Sequence, residues 1–347
     1  MARLRKAEVS VENLKRMTPR ELAALLSGDP AEAAPWVELA ARHGLAAGQL
    51  RLGRMLLDGT GMAKDEAAAL GWFKTAARSG DADAMNMVGR CCENGWGAAK
   101  DSEAAAGWYR RSAEAGHDWG EYNYANMLFD GLGVPVDLPA AMEWYLKACA
   151  QGHARAMNQA GRCHEEGWGV ACNPAAAADW YRQSAEGNYF RGQYNHAAIL
   201  TAQGRAREAA DWYGKAADGG TLEIRRRIGR ELLGGDQPDL HPVGLRALAL
   251  ACEGGAASDF FHYGRVLLHG FHCAPDVEAG ADWLRRAAEL GHDGAAEELE
   301  RAGVSAPPVS AAESPPALAG KRSAGRLSLR FSGARGEPAK WRSRTGT

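Results

Sequence analysis

Tryptophan recurs at a constant interval of 36 residues along the first half of the chain, at Trp36, Trp72, Trp108, Trp144 and Trp180. Glycine keeps the same interval at Gly44, Gly80, Gly116 and Gly152. A period of this length is typical of stacked supersecondary units, each of which buries its apolar face against the next. We therefore expect one elongated, all-α array of about seven helix-turn-helix repeats. Such arrays usually bind other proteins.

The second repeat shows the pattern within one unit. Small and apolar residues around Ala84 and Val88 form a helical stripe, and Gly95 and Gly97 interrupt it. Glycine suits such an interruption because it adopts positive φ at low cost. A second helix is expected to begin after Asp101 and to end near the next repeat glycine.

Residues suited to capping follow the same 36-residue interval at Asp65, Asp101, Asp137 and Asn173. Their side-chain oxygens can accept the free N–H groups at the start of a helix. In the middle of six of the seven predicted second helices stands a tryptophan, which we expect to be largely buried between helices: Trp72, Trp108, Trp144, Trp180, Trp212 and Trp283.

Two of the seven repeats are irregular. The repeats begin near residues 45, 81, 117, 153, 189, 221 and 256. Repeat five is four residues shorter and has Gly204-Arg205 at its turn, whereas repeat six replaces the tryptophan with Leu248. We expect these two repeats to perturb the superhelix locally.

The sequence predicts three regions. Residues 1–44 include Thr18 and Glu21 in a capping-box pattern and should cover the open end of the array, which spans residues 45–302. Residues 303–347 contain eight Lys or Arg and two Asp or Glu among Pro, Ser, Ala and Gly, and we expect them to be disordered. Because the whole chain carries a net charge of −2, the remainder carries −8.

Cysteine usage and hydropathy bear on the compartment. Seven unevenly spaced cysteines do not form a disulfide framework and are typical of free thiols in a reducing compartment. No apolar core of a signal peptide follows the basic start, and no apolar run approaches the roughly 18 residues of a membrane span. We expect a cytoplasmic protein that is monomeric.

A ladder of Arg, Asn and Tyr occupies equivalent positions on the first helices. One row directly follows the repeat glycine, and the other precedes it by three residues; both lie opposite the packing stripe. Arginine can hold carboxylates bidentately and asparagine can bond a peptide backbone, so we expect a groove that binds a protein segment of acidic character. The candidate partner-binding residues are Arg54, Asn86, Arg90, Tyr122, Asn126, Asn158, Arg162, Tyr194, Arg230 and Arg265.

Other kinds of site are less well supported. The group His262, His269, His272 and Cys273 lacks the paired spacing of structural zinc sites. Cys163 lies in a repeat helix, where packing explains it better than nucleophilic catalysis. The glycines recur once per repeat as turns, not as a phosphate-binding loop. We expect no enzyme activity, cofactor, metal or small-molecule substrate.

The recurring pattern Ala-x-x-x-Leu-Gly, Gly-x-Gly, Asp, Trp-Tyr, Ala-Ala and Gly resembles the Sel-one-like repeat family, a relative of tetratricopeptide repeats, over about residues 31–300. The resemblance implies an α/α right-handed solenoid that mediates protein–protein interaction, with the first helices lining a concave surface. It implies no shared catalytic activity.

The leading interpretation is a non-catalytic scaffold or adaptor that binds a partner segment in its concave groove. Three alternatives stay open. The Met-Asn-x-x-Gly-Arg-Cys and Gly-Trp-Gly variants resemble bacterial members that accompany siderophore receptors, which would make the chain an accessory of iron uptake. A hydrolase would fit the cysteine-rich branch of the family, although this chain lacks its regular cysteine pairs. The basic tail could tether the protein to nucleic acid or a membrane surface, although its scattered arginines make nucleic acid a poor candidate.

Overall fold

A computed structural model describes residues 9–304, and the predicted tail from residue 305 onward lies outside this range. The described chain is helical and contains no β-strand. Its 18 α-helices run in consecutive packed pairs, which confirms the predicted all-α repeat solenoid. Three helices precede the repeats: α1 (Val11–Arg16), α2 (Pro19–Ser27) and α3 (Pro30–Arg42).

Each repeat contributes a first and a second helix of mostly 13 residues. The first helices are α4 (Ala46–Asp58), α6 (Ala82–Asn94), α8 (Asp118–Asp130), α10 (Ala154–Glu166), α12 (Phe190–Ala202), α14 (Leu222–Leu233) and α16 (Ala257–His269). The second helices are α5 (Glu66–Arg78), α7 (Ser102–Glu114), α9 (Leu138–Ala150), α11 (Pro174–Glu186), α13 (Ala206–Gly219), α15 (His241–Ala251) and α17 (Val277–Glu289). α18 (Asp293–Arg301) ends the described array.

Local hydrogen bonds fix the helix boundaries where the sequence predicts them. The side chains of Asp65, Asp101, Asp137 and Asn173 each accept the N–H three residues further on. At the other end of α6, Gly95 has φ +78° and ends the helix in the left-handed conformation. Thr18 and Glu21 form the predicted capping box.

The core of each repeat centres on the residue after the tryptophan. The rings of Phe73, Tyr109 and Tyr181 are fully buried and lie against a glycine of the first helix. The preceding tryptophans, from Trp72 to Trp283, are only half-buried. The expectation that the tryptophans form the core is therefore wrong by one position, since the following residue is the buried one. Successive side chains on a helix point about 100° apart, and in these helices the residue after the tryptophan points toward the glycine.

Repeat six follows the same rule. Leu248 is buried and fills the space above Gly229, so it replaces the buried aromatic residue, and Ala247 stands in the tryptophan position. The interpretation that Leu248 replaces the tryptophan is thus also wrong by one sequence position. Around this repeat α13 packs directly against α15, and a 3₁₀ turn at Pro238–Leu240 lies between them. The fifth repeat is four residues shorter than the regular repeat, and only three residues separate α12 from α13.

Among equivalent helices of successive repeats, the first helices are closer together than the second helices in the middle of the array. α6 contacts α8, and α10 contacts α12, whereas the second helices of these repeats do not approach one another as closely. Elements that lie closer together occupy the inner side of a curved stack. The first helices therefore line the inner face of repeats two to five.

Candidate functional site

Two arginines on the inner face have the same surroundings. Arg90 on α6 and Arg162 on α10 are equivalent residues two repeats apart. The guanidinium carbon of Arg90 lies 5.3 Å from the centroid of the Trp96 ring, and that of Arg162 lies 5.1 Å from the centroid of Trp168. Both tryptophans stand in the Gly-x-Gly turn after the helix. We call these the two Arg–Trp pairs.

Neither Arg–Trp pair has a carboxylate within ion-pair distance among residues 9–304. Arg90 donates to the sulfur of Met87 at 3.6 Å, and Arg162 donates to Oε1 of Gln159 at 3.1 Å. The nearby Glu93 and Glu165 instead accept the hydroxyls of Tyr109 at 2.6 Å and Tyr181 at 2.5 Å. Each arginine therefore keeps donors for a further ligand.

The other arginines of the predicted ladder are differently placed. Arg54 binds both carboxylate oxygens of Asp83 in the next repeat, at 2.8 and 2.6 Å. Arg265 lies 3.4 Å from a carboxylate oxygen of Glu298. Arg230 is exposed, and its Nε donates to the backbone oxygen of Arg226 at 3.4 Å. Arg54 thus joins repeat one to repeat two, and Arg265 joins repeat seven to α18, through ion pairs that Arg90 and Arg162 lack.

The asparagines of the ladder lie between neighbouring first helices. Asn86 and Asn158 are only 4% and 3% exposed. Their Oδ1 atoms accept from Nδ2 of Asn123 and Asn195 in the next repeat, at 2.8 and 2.9 Å. These carboxamides connect repeat two to three and repeat four to five, and they present little surface to a partner.

The aromatic residues and Asn126 are also engaged within the array. The ring of Tyr122 stacks on His153 with centroids 4.8 Å apart. Tyr194 is buried, and its hydroxyl donates to Glu231 of the next repeat. Asn126 accepts from the Tyr145 hydroxyl at 2.7 Å. Tyr122 and Asn126 stay half-buried, so part of each side chain faces solvent.

The residues that sequence reasoning missed lie beside the arginines. Asn123 and Gln159 share a side of the first helices with Asn126 and Arg162, since they precede these residues by three positions. The two turn tryptophans lie under the guanidinium groups. The near-identity of repeats two and four, AMNMVGRCCENGWG and AMNQAGRCHEEGWG, is the sequence signal that links them.

Electrostatics around the Arg–Trp pairs involve one further carboxyl group. Asp130 ends α8, in the repeat between the two arginines. Partial loss of water raises the pKa of Asp130, the Arg162 charge opposes this rise, and the Glu93 charge adds to it. A negative charge at Asp130 therefore competes with any incoming anion for Arg162.

Two of the buried thiols on the first helices are poorly reactive. Burial raises the pKa of Cys163 to about 11 and that of Cys91 to about 12, which keeps both thiols protonated and poorly nucleophilic. His269 bonds to Glu298 at 2.6 Å, whereas His272 packs against His241. Within residues 9–304 no three His, Cys, Asp or Glu side chains are grouped to hold a metal ion. In that range no helix is long and apolar enough to cross a membrane.

Comparison with solved structures places this geometry among known repeat arrays. A protective antigen of uropathogenic Escherichia coli strains, described as displaying an SLR fold, is 28% identical with a TM-score of 0.57; the match covers 84% of this chain and 67% of the antigen. A Sel1 repeat protein from Oxalobacter formigenes is 20% identical with a TM-score of 0.54; the match covers 87% and 89% of the two chains. No curated protein matches the chain significantly.

The Sel1 repeat profile matches more than half of the chain. The matched segments are residues 46–81, 82–117, 120–153, 154–189, 205–221 and 261–292. The unmatched stretches include residues 222–260, which hold α14 and α15 of repeat six, where α13 also packs directly against α15. The chain belongs to the Sel1 repeat family.

Proposed function

We propose that this protein is a non-catalytic scaffold that binds an acidic segment of a partner protein along the inner face of repeats two to four. The observation that carries the proposal is the duplication, at Arg90 and Arg162, of an arginine that lies over a tryptophan and has no salt-bridged carboxylate among residues 9–304. Family membership supports protein binding as the general role.

The physical reason is the contrast with the other arginines. A salt-bridged arginine such as Arg54 must give up its carboxylate before it can bind another. Arg90 and Arg162 have no such carboxylate to lose, and the indole ring below each guanidinium restricts its orientation. A bidentate contact to a partner carboxylate then costs less side-chain entropy. Arginine and tryptophan are also the residues that most often dominate interface energies.

The negative net charge of the array restricts how it can recognise an acidic partner. Residues 1–302 carry a charge of −8, so an acidic partner is not attracted by the array as a whole. Recognition must come from the local positive charge of the two Arg–Trp pairs, and increasing salt should weaken it.

The experiment is affinity capture with the full-length protein as bait, followed by mass spectrometry of retained proteins. The variant Arg90→Glu/Arg162→Glu should lose the acidic partner. The matched control is Arg110→Glu/Arg182→Glu, which makes the same charge change in the same two repeats but on the second helices, where both arginines are exposed. Circular dichroism should show equal helicity in all three proteins.

Retention of the same partners by the Arg90→Glu/Arg162→Glu variant would overturn the proposal. Equal loss in both double variants would also count against it, because charge alone would then explain the binding. Loss in the first variant only is the expected result.

A further inference from the structure

The turns of repeats two, three and four form one continuous edge of the array. Each has the sequence Gly-x-Gly, with Trp96, Leu132 and Trp168 at the centre. The second glycine has φ near +70° in all three turns and lies against the backbone at the start of the preceding second helix. No side chain fits there, so each turn rests directly on the repeat before it. We call Trp96, Leu132, Val136 and Trp168 the turn edge.

The turn edge exposes apolar side chains in its middle. Leu132 is 45% exposed and Val136 is 61% exposed, whereas the two flanking tryptophans are half-buried. The ring of Trp168 packs on Phe129 of repeat three, with centroids 5.3 Å apart and the planes nearly perpendicular, which holds the third and fourth turns together. Clustered exposed apolar residues in a water-soluble array are typical of a binding surface.

Repeats two to four differ from the other repeats in combining apolar turns with the Arg–Trp pairs. In repeat seven the turn residue Phe271 is 48% exposed, but Arg265 of that repeat lies 3.4 Å from a carboxylate oxygen of Glu298. The equivalent turn residues of repeats one and five are Thr60 and Gly204, and the turn of repeat six contains Asp236 and Gln237. Because Arg90 lies over Trp96 and Arg162 over Trp168, one positive charge stands at each end of the apolar stretch. Positive charge and exposed apolar surface thus occur in neighbouring repeats of the same part of the array.

Resting on the proposed function, we propose that the partner segment has an acidic–apolar–acidic pattern. One carboxylate binds Arg90, a large aliphatic or aromatic side chain covers Leu132 and Val136, and a second carboxylate binds Arg162. The occupant is an extended protein segment, because positive charges at both ends of an apolar patch match that alternation.

Helix packing sets the spacing of the two acids. Packed helices such as α6 and α8 lie about 8–10 Å apart, and α8 and α10 approach each other less closely, so the distance from α6 to α10 is at least about 16–20 Å. An extended chain advances about 3.3 Å per residue, so this distance corresponds to at least about five residues. The segment should therefore contain two Asp or Glu at least about five positions apart, with the apolar residue near the midpoint.

The test is selection of displayed random 12-residue peptides on the full-length immobilised protein. Parallel selections use Arg90→Glu/Arg162→Glu, Leu132→Ser/Val136→Ser and the control Arg110→Glu/Arg182→Glu. The wild type and the control should enrich peptides with the acidic–apolar–acidic pattern at least tenfold over the starting library. The arginine variant should lose that enrichment. The Leu132→Ser/Val136→Ser variant should keep the acids but lose the preference for an apolar residue between them.

The outcomes separate the two proposals. Acidic peptides without fixed spacing or a central apolar residue, enriched only when the arginines are present, would overturn the pattern while leaving the acidic-segment scaffold intact. Peptides that bind equally well to the arginine variant, or no enrichment on the wild type, would overturn both. Since Leu132 and Val136 are exposed, their replacement by serine should leave the helical signal unchanged, which circular dichroism checks.

Discussion

Gly89 on α6 lies under the ring of Tyr109 on α7, so closely that a Cβ atom at Gly89 would stand 2.6 Å from Cδ1 of that ring. Tyr109 is 1% exposed and its hydroxyl is bound to Glu93, so the ring has little room to move. The same relationship joins Gly161 to Tyr181, with 2.7 Å to the ring. This contact sets the distance between the two helices of a repeat.

We expect Gly89→Ala to destabilise the array by about 1–3 kcal/mol, because the added methyl group overpacks the core. The matched control is Gly107→Ala on α7, where an added Cβ meets nothing within 4 Å. Alanine at that helical position should stabilise by roughly 0.5–1 kcal/mol. Urea unfolding followed by circular dichroism measures both, and equal effects of the two substitutions would contradict the overpacking account.

The second prediction compares neighbouring aromatic residues in repeat three. Tyr145 is fully buried, whereas Trp144 is half-buried with Lys147 over its ring at 3.5 Å. Tyr145→Ala should cost about 3–5 kcal/mol as a core truncation. Trp144→Ala should cost on the order of half as much, since less apolar surface is removed from the interior. If the tryptophan variant proved the less stable of the two in urea unfolding, the assignment of the core position would be wrong.

These two positions show what the sequence could and could not reveal. The interval of 36 residues, the caps at Asp65 and Asp101 and the glycine turns are local signals that repeat, so the sequence predicts the helices and their pairing. Tryptophan and the residue after it share the same interval, so periodicity alone cannot tell which of them is buried. The glycine on the facing helix decides this, and that contact depends on how the pair packs.

The candidate site was predictable to the same extent. The equivalent positions of Arg90 and Arg162 follow from the sequence, and the structure places both beside a tryptophan. The burial of Asn86 and Asn158 does not follow, because it arises where curvature brings neighbouring first helices into contact. Curvature is a property of the whole array and leaves no signal within a single repeat.

The third prediction concerns acid and His153, which is 6% exposed between the rings of Trp119 and Tyr122. Its Nδ1 accepts the N–H of Ala156 at 3.1 Å, so the neutral ring carries its proton on Nε2. Burial lowers the pKa of His153 to about 4; Asp118 opposes this shift, and Arg155 and, more weakly, His117 add to it.

Since the unfolded chain binds this proton near pH 6.5 and the folded chain only near pH 4, stability should fall as the pH drops through that window. The loss should reach about 3 kcal/mol. His153→Asn keeps a capping side chain but removes the titrating ring. Unfolding at pH 7, 5.5 and 4.5 should show a smaller decline in the variant. An identical decline in both proteins would assign the pH dependence to other groups.

The last prediction uses the carboxyl group between the two Arg–Trp pairs. Asp130 interacts electrostatically with Arg162 and thus opposes the binding of a partner carboxylate there. Asp130→Asn should strengthen binding of a peptide selected on the wild-type protein by about 2–5-fold, which corresponds to the roughly 0.5–1 kcal/mol of an exposed charge interaction. Asp211→Asn, on the exposed side of α13, makes the same charge change away from the site and should leave the affinity unchanged.

Biolayer interferometry at two salt concentrations measures the affinity of each protein for the peptide. The gain from Asp130→Asn should shrink at the higher salt concentration because salt screens the interaction. Unchanged or weaker binding by the Asp130→Asn protein would show that the partner's acid does not reach Arg162.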